Sequence, residues 1–149
     1  MIWLVVGAVP RDAACGELVG ALSRRIASGD ATARARIEAL GSLAAAAVSA
    51  LRAAEGDAAW RIAHLADDAM GQLRKLGLST PALELVLDTG RAAGALGGKL
   101  SGAGAGGAFY LVAEDQTAAR AIAARVQKDC SSTPFISPLR VLAVGTAGS

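Results

Sequence analysis

KLSGAGAGGAFYLV, residues 99–112, joins a glycine-rich run to a stretch typical of a β-strand. Four glycines lie within residues 102–107, and apolar and aromatic residues follow at once. Glycine loses more conformational entropy on folding than any other residue, so such a density indicates positive φ angles or close backbone approach. The segment therefore predicts a loop between two strands, the first at Lys99-Leu100 and the second at Ala108–Val112.

Two familiar phosphate-binding motifs do not fit this loop. Gly102, Gly104 and Gly107 satisfy G-x-G-x-x-G, but a dinucleotide fold needs a helix directly after the turn, and AFYLV is strand-like. A Walker P-loop needs Gly-Lys-Ser/Thr after the glycines, whereas Lys99 and Ser101 precede them. Successive backbone N–H groups could still form an anion-binding nest, and a tight hairpin without a ligand is the alternative.

The composition limits the class of protein. A chain of 149 residues is long enough for one domain with a substantial core, and its net charge of +2 gives no case for nucleic acid. Cys15 and Cys130 form no CxxC pair, so we expect reduced, cytoplasmic thiols and no metal site. The apolar stretches 1–9 and 43–51 are too short to span a bilayer, and no membrane association is expected.

Hydrophobic spacing predicts the remaining elements. In chain order they are a strand at Ile2–Val6, helices with apolar stripes over Leu18–Ile26, Ile37–Leu51, Ile62–Leu76 and Leu83–Leu87, the two strands of the glycine segment, a helix carrying Ile122 and Val126, and a last strand at Arg140–Val144. The predicted N-caps are Asp30, Asp57, Thr80 and Asp115. This order predicts a single α+β domain over residues 1–149, a ferredoxin-like split βαβ plait with extra helices inserted in the first crossover.

Residues 94–112, GALGGKLSGAGAGGAFYLV, resemble the third conserved motif of the GHMP small-molecule kinases, and the likeness is greatest to the mevalonate kinases. LGLSTPAL, residues 76–83, is similar to the turn that opens the preceding helix in that family. LVVGAVPRDAACGELV, residues 4–19, resembles more loosely the start of the family's second domain. The chain departs from the family at Ala69-Met70, where Asn-Gln is usual, and at Ala105, where a glycine is usual.

The resemblance implies the C-terminal domain of a two-domain kinase that uses ATP and Mg²⁺, most closely for the mevalonate hydroxyl in isoprenoid biosynthesis. The family's nucleotide loop, P-x-x-x-G-x-G-S-S, does not occur in this sequence. The resemblance places that loop, the catalytic Asp and the catalytic Lys in the first domain. We therefore expect the chain alone to be inactive, with no catalytic residue and no Mg²⁺ ligand, and to dock a separate N-terminal domain or form a homodimer through its uncovered face.

The resemblance also implies the site residues and the substrates. Phosphate and substrate contacts are expected at Ser101, Gly102, Ala103, Gly104, Ala105 and Gly106, with Lys99 and Asp67 as further candidates. Ser101 would donate a hydrogen bond to a phosphate or a substrate carboxylate. The alternative for Lys99 is a solvated charge, and His64 is interpreted as a helix-surface residue. Alternative substrates are phosphomevalonate, homoserine or a sugar, and the alternative from another class is a non-catalytic ligand-binding or regulatory module.

Overall fold

The computed structural model describes residues 1–12, 15–53 and 56–139, with Cys15 as backbone only. Its elements in chain order are β1 (Ile2–Val9), α1 (Cys15–Ala27), α2 (Ala31–Ala53), α3 (Ala58–Lys75), α4 (Pro81–Ala92), β2 (Gly97–Leu100), β3 (Gly107–Ala113), α5 (Gln116–Asp129) and β4 (Phe135–Leu139). The strand predicted at Arg140–Val144 lies outside the described residues.

The four described strands form one antiparallel sheet in the order β2-β3-β1-β4. Val5 of the central strand β1 pairs with Leu111 of β3 on one side and with Ile136 of β4 on the other. Strands β1 and β2 run in the same direction with β3 between them, so helices α1 to α4 occupy one split crossover and α5 the second. The predicted split βαβ plait with extra helices in its first crossover is confirmed.

Helices cover both faces of the sheet, because side chains alternate between the faces along each strand. Phe109 and Leu111 of β3 are fully buried in a core with Leu87 of α4 and Ile122 of α5. Val112, the alternate residue of β3, belongs to a second cluster, which also contains Ala50 of α2 and Ile62 of α3. The strand β3 therefore contributes to both cores, and the glycine-rich loop is its immediate N-terminal neighbour.

Three of the four predicted N-caps are confirmed. The side chains of Asp30, Thr80 and Asp115 each accept a hydrogen bond from the backbone N–H three residues on, at 2.8, 3.3 and 2.7 Å. The prediction for Asp57 is wrong, because its side chain makes no cap bond. At Thr80 and Asp115 the backbone is extended, and this conformation directs the side-chain oxygen toward the first turn of the helix. Asp57 has a ψ of 7° instead.

Two glycines that predict chain breaks instead provide room within continuous elements. Strand β1 continues through Gly7, where a Cβ would lie 2.6 Å from the Phe109 ring. Helix α4 continues through Gly90, where a Cβ would lie 2.5 Å from a Leu111 methyl group. The predicted strand end at Val6 and the predicted dissolution of the fourth helix at Gly90 are therefore wrong, because both glycines accommodate large core side chains.

Helix α3 lies along the outer edge of β2. A Cβ at Gly97 would come within 2.5 Å of the Ala63 carbonyl oxygen, so only glycine permits this contact. The Asp67 carboxylate accepts a hydrogen bond from the Gly98 N–H at 2.9 Å and one from Arg91 Nη2 at 2.7 Å. A carboxylate of α3 thus satisfies a donor on the sheet edge and also joins α3 to the end of α4.

We expect Gly97→Ala to destabilise the fold by about 1–3 kcal/mol, as overpacking typically does, because the new methyl group meets backbone that cannot move aside. The matched control is Gly71→Ala in α3, where a Cβ has open space. That change should stabilise the helix by about 0.5–1 kcal/mol. Urea unfolding of the two variants measures both effects, and equal midpoints would contradict the close contact between α3 and β2.

Candidate functional site

The glycine-rich loop connects β2 to β3, and no helix follows it. This confirms the predicted order of strand, loop and strand. The loop and the first residue of β3 contain five residues with positive φ: Gly102 at 92°, Gly104 at 93°, Ala105 at 51°, Gly106 at 95° and Gly107 at 78°. Among the residues that the structure describes, Ala105 is the only non-glycine with positive φ.

Ala105 is held by two backbone hydrogen bonds to distant parts of the chain. Its N–H donates to the Leu78 carbonyl at 2.8 Å, and its carbonyl accepts from the Asp12 N–H at 2.8 Å. A left-handed conformation costs an L-residue about 1–2 kcal/mol, so these bonds offset local strain. The same φ explains why glycine would be the less strained residue at this position.

The loop residues flanking Ala105 are buried and leave no room for side chains. A Cβ on Gly104 would lie 2.5 Å from the Leu78 carbonyl oxygen, and one on Gly106 would overlap the Pro10 carbonyl. Residues 104–106 therefore form the anchored half of the loop, packed between the α3–α4 turn and the end of β1. Three of the six predicted contact residues lie in this half.

The other three predicted contact residues, Ser101 to Ala103, form the accessible half of the loop. Ser101 and Gly102 are exposed and Ala103 is half-buried. The Ser101 N–H donates to the Ala108 carbonyl at 2.8 Å, which continues the strand pairing into the loop. No heavy atom lies within 4 Å of the Cβ position of Gly102, so a ligand could approach this backbone directly.

An apolar cleft of about 440 Å³ opens beside the accessible half of the loop. Helices α2 and α3 form two of its walls, and the sheet face forms the third. Its lining residues are Leu40, Leu43, Ala44, Ala47, Ile62, Leu65, Ala66, Ala69, Leu73, Lys99, Gly102 and Tyr110. Gly102 therefore belongs both to the loop and to the cleft wall, and Lys99 is the charged residue of this lining.

Lys99 is half-buried in the cleft and is not the solvated strand-end charge that its position suggests. Its Nζ donates to the Leu100 carbonyl at 2.6 Å and lies 5.4 Å from the centroid of the Tyr110 ring. Burial lowers the pKa of the Lys99 ammonium. Burial, and secondarily the charge of Asp67, raises the pKa of the Tyr110 hydroxyl. The cleft thus holds an amine and a phenol in surroundings where burial disfavours the charged form of each.

The remaining candidates lie apart from the loop. Asp67 uses its carboxylate to bind Gly98 and Arg91, as described above. His64 is exposed, as predicted for a helix-surface residue, and its ring centroid lies 6.1 Å from that of the half-exposed Trp60. Neither His64 nor Trp60 lines the cleft beside the loop.

Sequence reasoning missed the residues that support the loop. Leu78 and Asp12 bind Ala105 through backbone atoms, which no side-chain motif reveals. The Arg11 guanidinium lies over the start of β3, since a Cβ on Gly107 would come within 2.8 Å of its Cζ. In the sequence, Pro10-Arg11-Asp12 indicates only that the first apolar run ends. Gly107 is the one sequence signal of this contact, since a glycine at the start of a strand indicates that another group lies close to it. The sequence does not show that this group is Arg11.

No group of three or more His, Cys, Asp or Glu side chains in the described part of the chain could hold a metal ion. None of the described helices combines the length and the apolar character needed to cross a membrane.

The chain is similar to known proteins in sequence and in fold. A family model described as GHMP kinases C terminal matches residues 47–132. A search of curated proteins found no match. Among solved structures, L. major mevalonate kinase in complex with R-mevalonate is similar at 24% identity with a TM-score of 0.79, over 91% of this chain and 41% of that one.

Two further solved structures share the fold. The Streptococcus pneumoniae phosphomevalonate kinase is 16% identical, with a TM-score of 0.72 over 91% of this chain and 40% of its own. A homoserine kinase from Cytophaga hutchinsonii is 17% identical, with a TM-score of 0.53 over 93% of this chain and 42% of its own. The chain therefore spans less than half the length of these structures.

We expect Gly104→Ala to destabilise the protein more than Gly102→Ala. Both alanines would occupy nearly the same positive φ, which costs about 1–2 kcal/mol. Gly104→Ala adds a clash with the Leu78 carbonyl, worth about 1–3 kcal/mol by analogy with overpacking, and it would displace the Ala105 N–H from that carbonyl. Thermal unfolding compares the two variants, and equal losses would show that residues 104–106 are not anchored as described.

Proposed function

This chain belongs to the C-terminal domain family of the GHMP kinases, and on that premise we propose that it forms the C-terminal half of an ATP-dependent kinase for a small-molecule alcohol. The observation that carries the proposal is the accessible half of the loop beside the cleft. There, small residues expose backbone next to a cavity of about 440 Å³. Phosphoryl transfer depends mainly on positioning and on neutralising charge, which such a surface can supply.

We propose that Ser101, Gly102 and Ala103 contact the transferred phosphate or the alcohol. The Ser101 hydroxyl would donate a hydrogen bond to a phosphate oxygen or to a substrate carboxylate. Gly104, Ala105 and Gly106 would contribute to the same surface by holding these residues in place. Arg11 and Lys99 place positive charge beside the loop, and Lys99 would attract an anionic substrate into the cleft.

Mevalonate is the substrate that we propose. The cleft walls are aliphatic and Lys99 is the charged group of its lining, which suits a branched hydrocarbon alcohol that carries a carboxylate. A sugar would leave several hydroxyl groups without hydrogen-bond partners against those walls, at a substantial desolvation cost. Phosphomevalonate and homoserine, two other candidate substrates, also carry charge. Kinetic comparison of the candidate substrates distinguishes mevalonate from these two.

The proposed partner of this chain is an N-terminal kinase domain, in the same chain or a separate one. The resemblance assigns to it the nucleotide loop, the catalytic Asp and Lys, and the ligands of the Mg²⁺ that accompanies ATP and neutralises phosphate charge. This chain's own residues would then orient the phosphate and exclude water from the cleft. We expect no phosphoryl transfer by this chain alone.

The test combines this chain with its N-terminal kinase domain and measures ADP release with mevalonate, phosphomevalonate, homoserine and galactose. We expect activity only with both domains present, and the highest kcat/KM with mevalonate. Preference for another of these compounds would overturn mevalonate as the proposed substrate but would leave the kinase assignment intact. Tight binding of a non-nucleotide metabolite by this chain alone, with no turnover in the combined enzyme, would indicate a regulatory module instead.

We expect Ala103→Leu to lower kcat/KM of the combined enzyme at least tenfold with little loss of stability. The larger side chain would fill the space beside Gly102, where phosphate and substrate must approach. Ala121→Leu, at an exposed position of α5, is the matched control and should retain full activity. Unchanged turnover in the Ala103→Leu enzyme would refute the assignment of the accessible half of the loop to the substrate.

A further inference from the structure

The α3–α4 turn, residues 76–80, is the support on which the anchored half of the loop rests. Its Leu78 carbonyl accepts the Ala105 N–H and lies where a Cβ on Gly104 would be. A shift of this carbonyl would therefore move the loop with it. The contacts that fix the position of Leu78 therefore also fix the position of Ser101 to Ala103 beside the cleft.

The first half of the turn is closed by backbone hydrogen bonds. The Leu78 N–H donates to the Leu73 carbonyl at 3.0 Å, and the Gly77 N–H donates to the Arg74 carbonyl at 2.9 Å. Gly77 has a φ of 79°, so these bonds form the Schellman motif that ends many helices. This motif fixes the N–H side of Leu78 but leaves its carbonyl side to the next residues.

The second half of the turn is closed by three side chains. Arg74 at the end of α3 makes a two-pronged ion pair with Glu84 of α4, with nitrogen–oxygen distances of 2.8 Å for each prong. The Ser79 hydroxyl donates to the same carboxylate at 2.5 Å. Ser79 directly follows Leu78, so the carboxylate ties the carbonyl side of Leu78 to both helices.

We propose that Arg74, Glu84 and Ser79 are positioning residues for the phosphate-facing loop, acting through the Leu78 carbonyl on Ala105. This inference rests on the proposed function. An ion pair whose side chains are about one-third exposed contributes little to global stability. The two-pronged geometry and the added hydroxyl instead restrict orientation, which is what a support for a catalytic loop requires.

Charge on neighbouring groups is part of the same network. Hydrogen bonds from Arg74 and then Ser79 hold the pKa of the Glu84 carboxyl below its usual range, and the charge of Arg91 on α4 acts in the same direction. Glu84 in turn raises the pKa of Arg74, to which Asp88 and Asp67 contribute. The carboxylate thus stays ionised at neutral pH, and its ties are lost only as the pH falls through a value below the ordinary Glu pKa.

The experiment follows the backbone amides of this chain by NMR in wild type, Glu84→Gln and Ser79→Ala. We expect amide exchange at Ala105 to rise at least tenfold in both variants, with exchange at the paired residues Val5 and Leu111 changed less than threefold. In wild type, the Ala105 amide shift should titrate with the Glu84 carboxyl at a pH below the ordinary Glu pKa, and this step should be absent in Glu84→Gln. Glu38→Gln, at an exposed position of α2, is the matched control and should leave Ala105 unchanged.

A uniform rise in exchange across Ala105, Val5 and Leu111 would overturn the proposal, because it would mean that the three side chains only stabilise the fold. Unchanged exchange at Ala105 would overturn it as well. In the combined enzyme we expect Glu84→Gln to lower kcat about tenfold with little change in the KM for the alcohol. The exchange measurement needs no substrate, so a failure of the kinase assignment is distinguishable from a failure of this inference.

Discussion

The two hydrogen bonds of Ala105 are the constraint on which the candidate site depends. They join the loop to Leu78 on one side and to Asp12 on the other, each at 2.8 Å. These partners are 27 and 93 residues away along the chain, so the loop reaches its shape only after α3, α4 and the sheet have assembled. The strain of a left-handed alanine is retained because both of its polar backbone groups are satisfied.

This constraint divides the glycines into two physical roles. Gly104 and Gly106 lack side chains because protein backbone occupies the space where a Cβ would be. Gly102 faces open space, so its lack of a side chain keeps backbone accessible beside the cleft. A loop that is anchored at one end and accessible at the other can hold its exposed N–H groups in fixed positions. Electrostatic stabilisation of a phosphate needs such donors, because they do not have to reorganise when charge develops.

The sequence was sufficient for the topology and for the loop, because both depend on local patterns. Thr80-Pro81 predicts a helix start, and the strand-like AFYLV excludes a dinucleotide fold. The sequence did not reveal the contacts between distant segments. Gly7 and Gly90 predict chain breaks, and only the structure shows that they make room for the side chains of Phe109 and Leu111. Lys99 likewise reads as a solvated charge, because its burial arises from helices α2 and α3, far from it in sequence.

The most direct measurement is a structure of the combined enzyme with Mg²⁺ and a non-hydrolysable ATP analogue. The account predicts phosphate oxygens about 2.7–3.2 Å from the N–H nitrogen of Gly102 or Ala103, or from the Ser101 hydroxyl, with the Ala105 N–H still bonded to Leu78. A phosphate bound by the Ala105 N–H after release from Leu78, or a nucleotide bound away from residues 101–103, would contradict the division of the loop into an anchored and an accessible half.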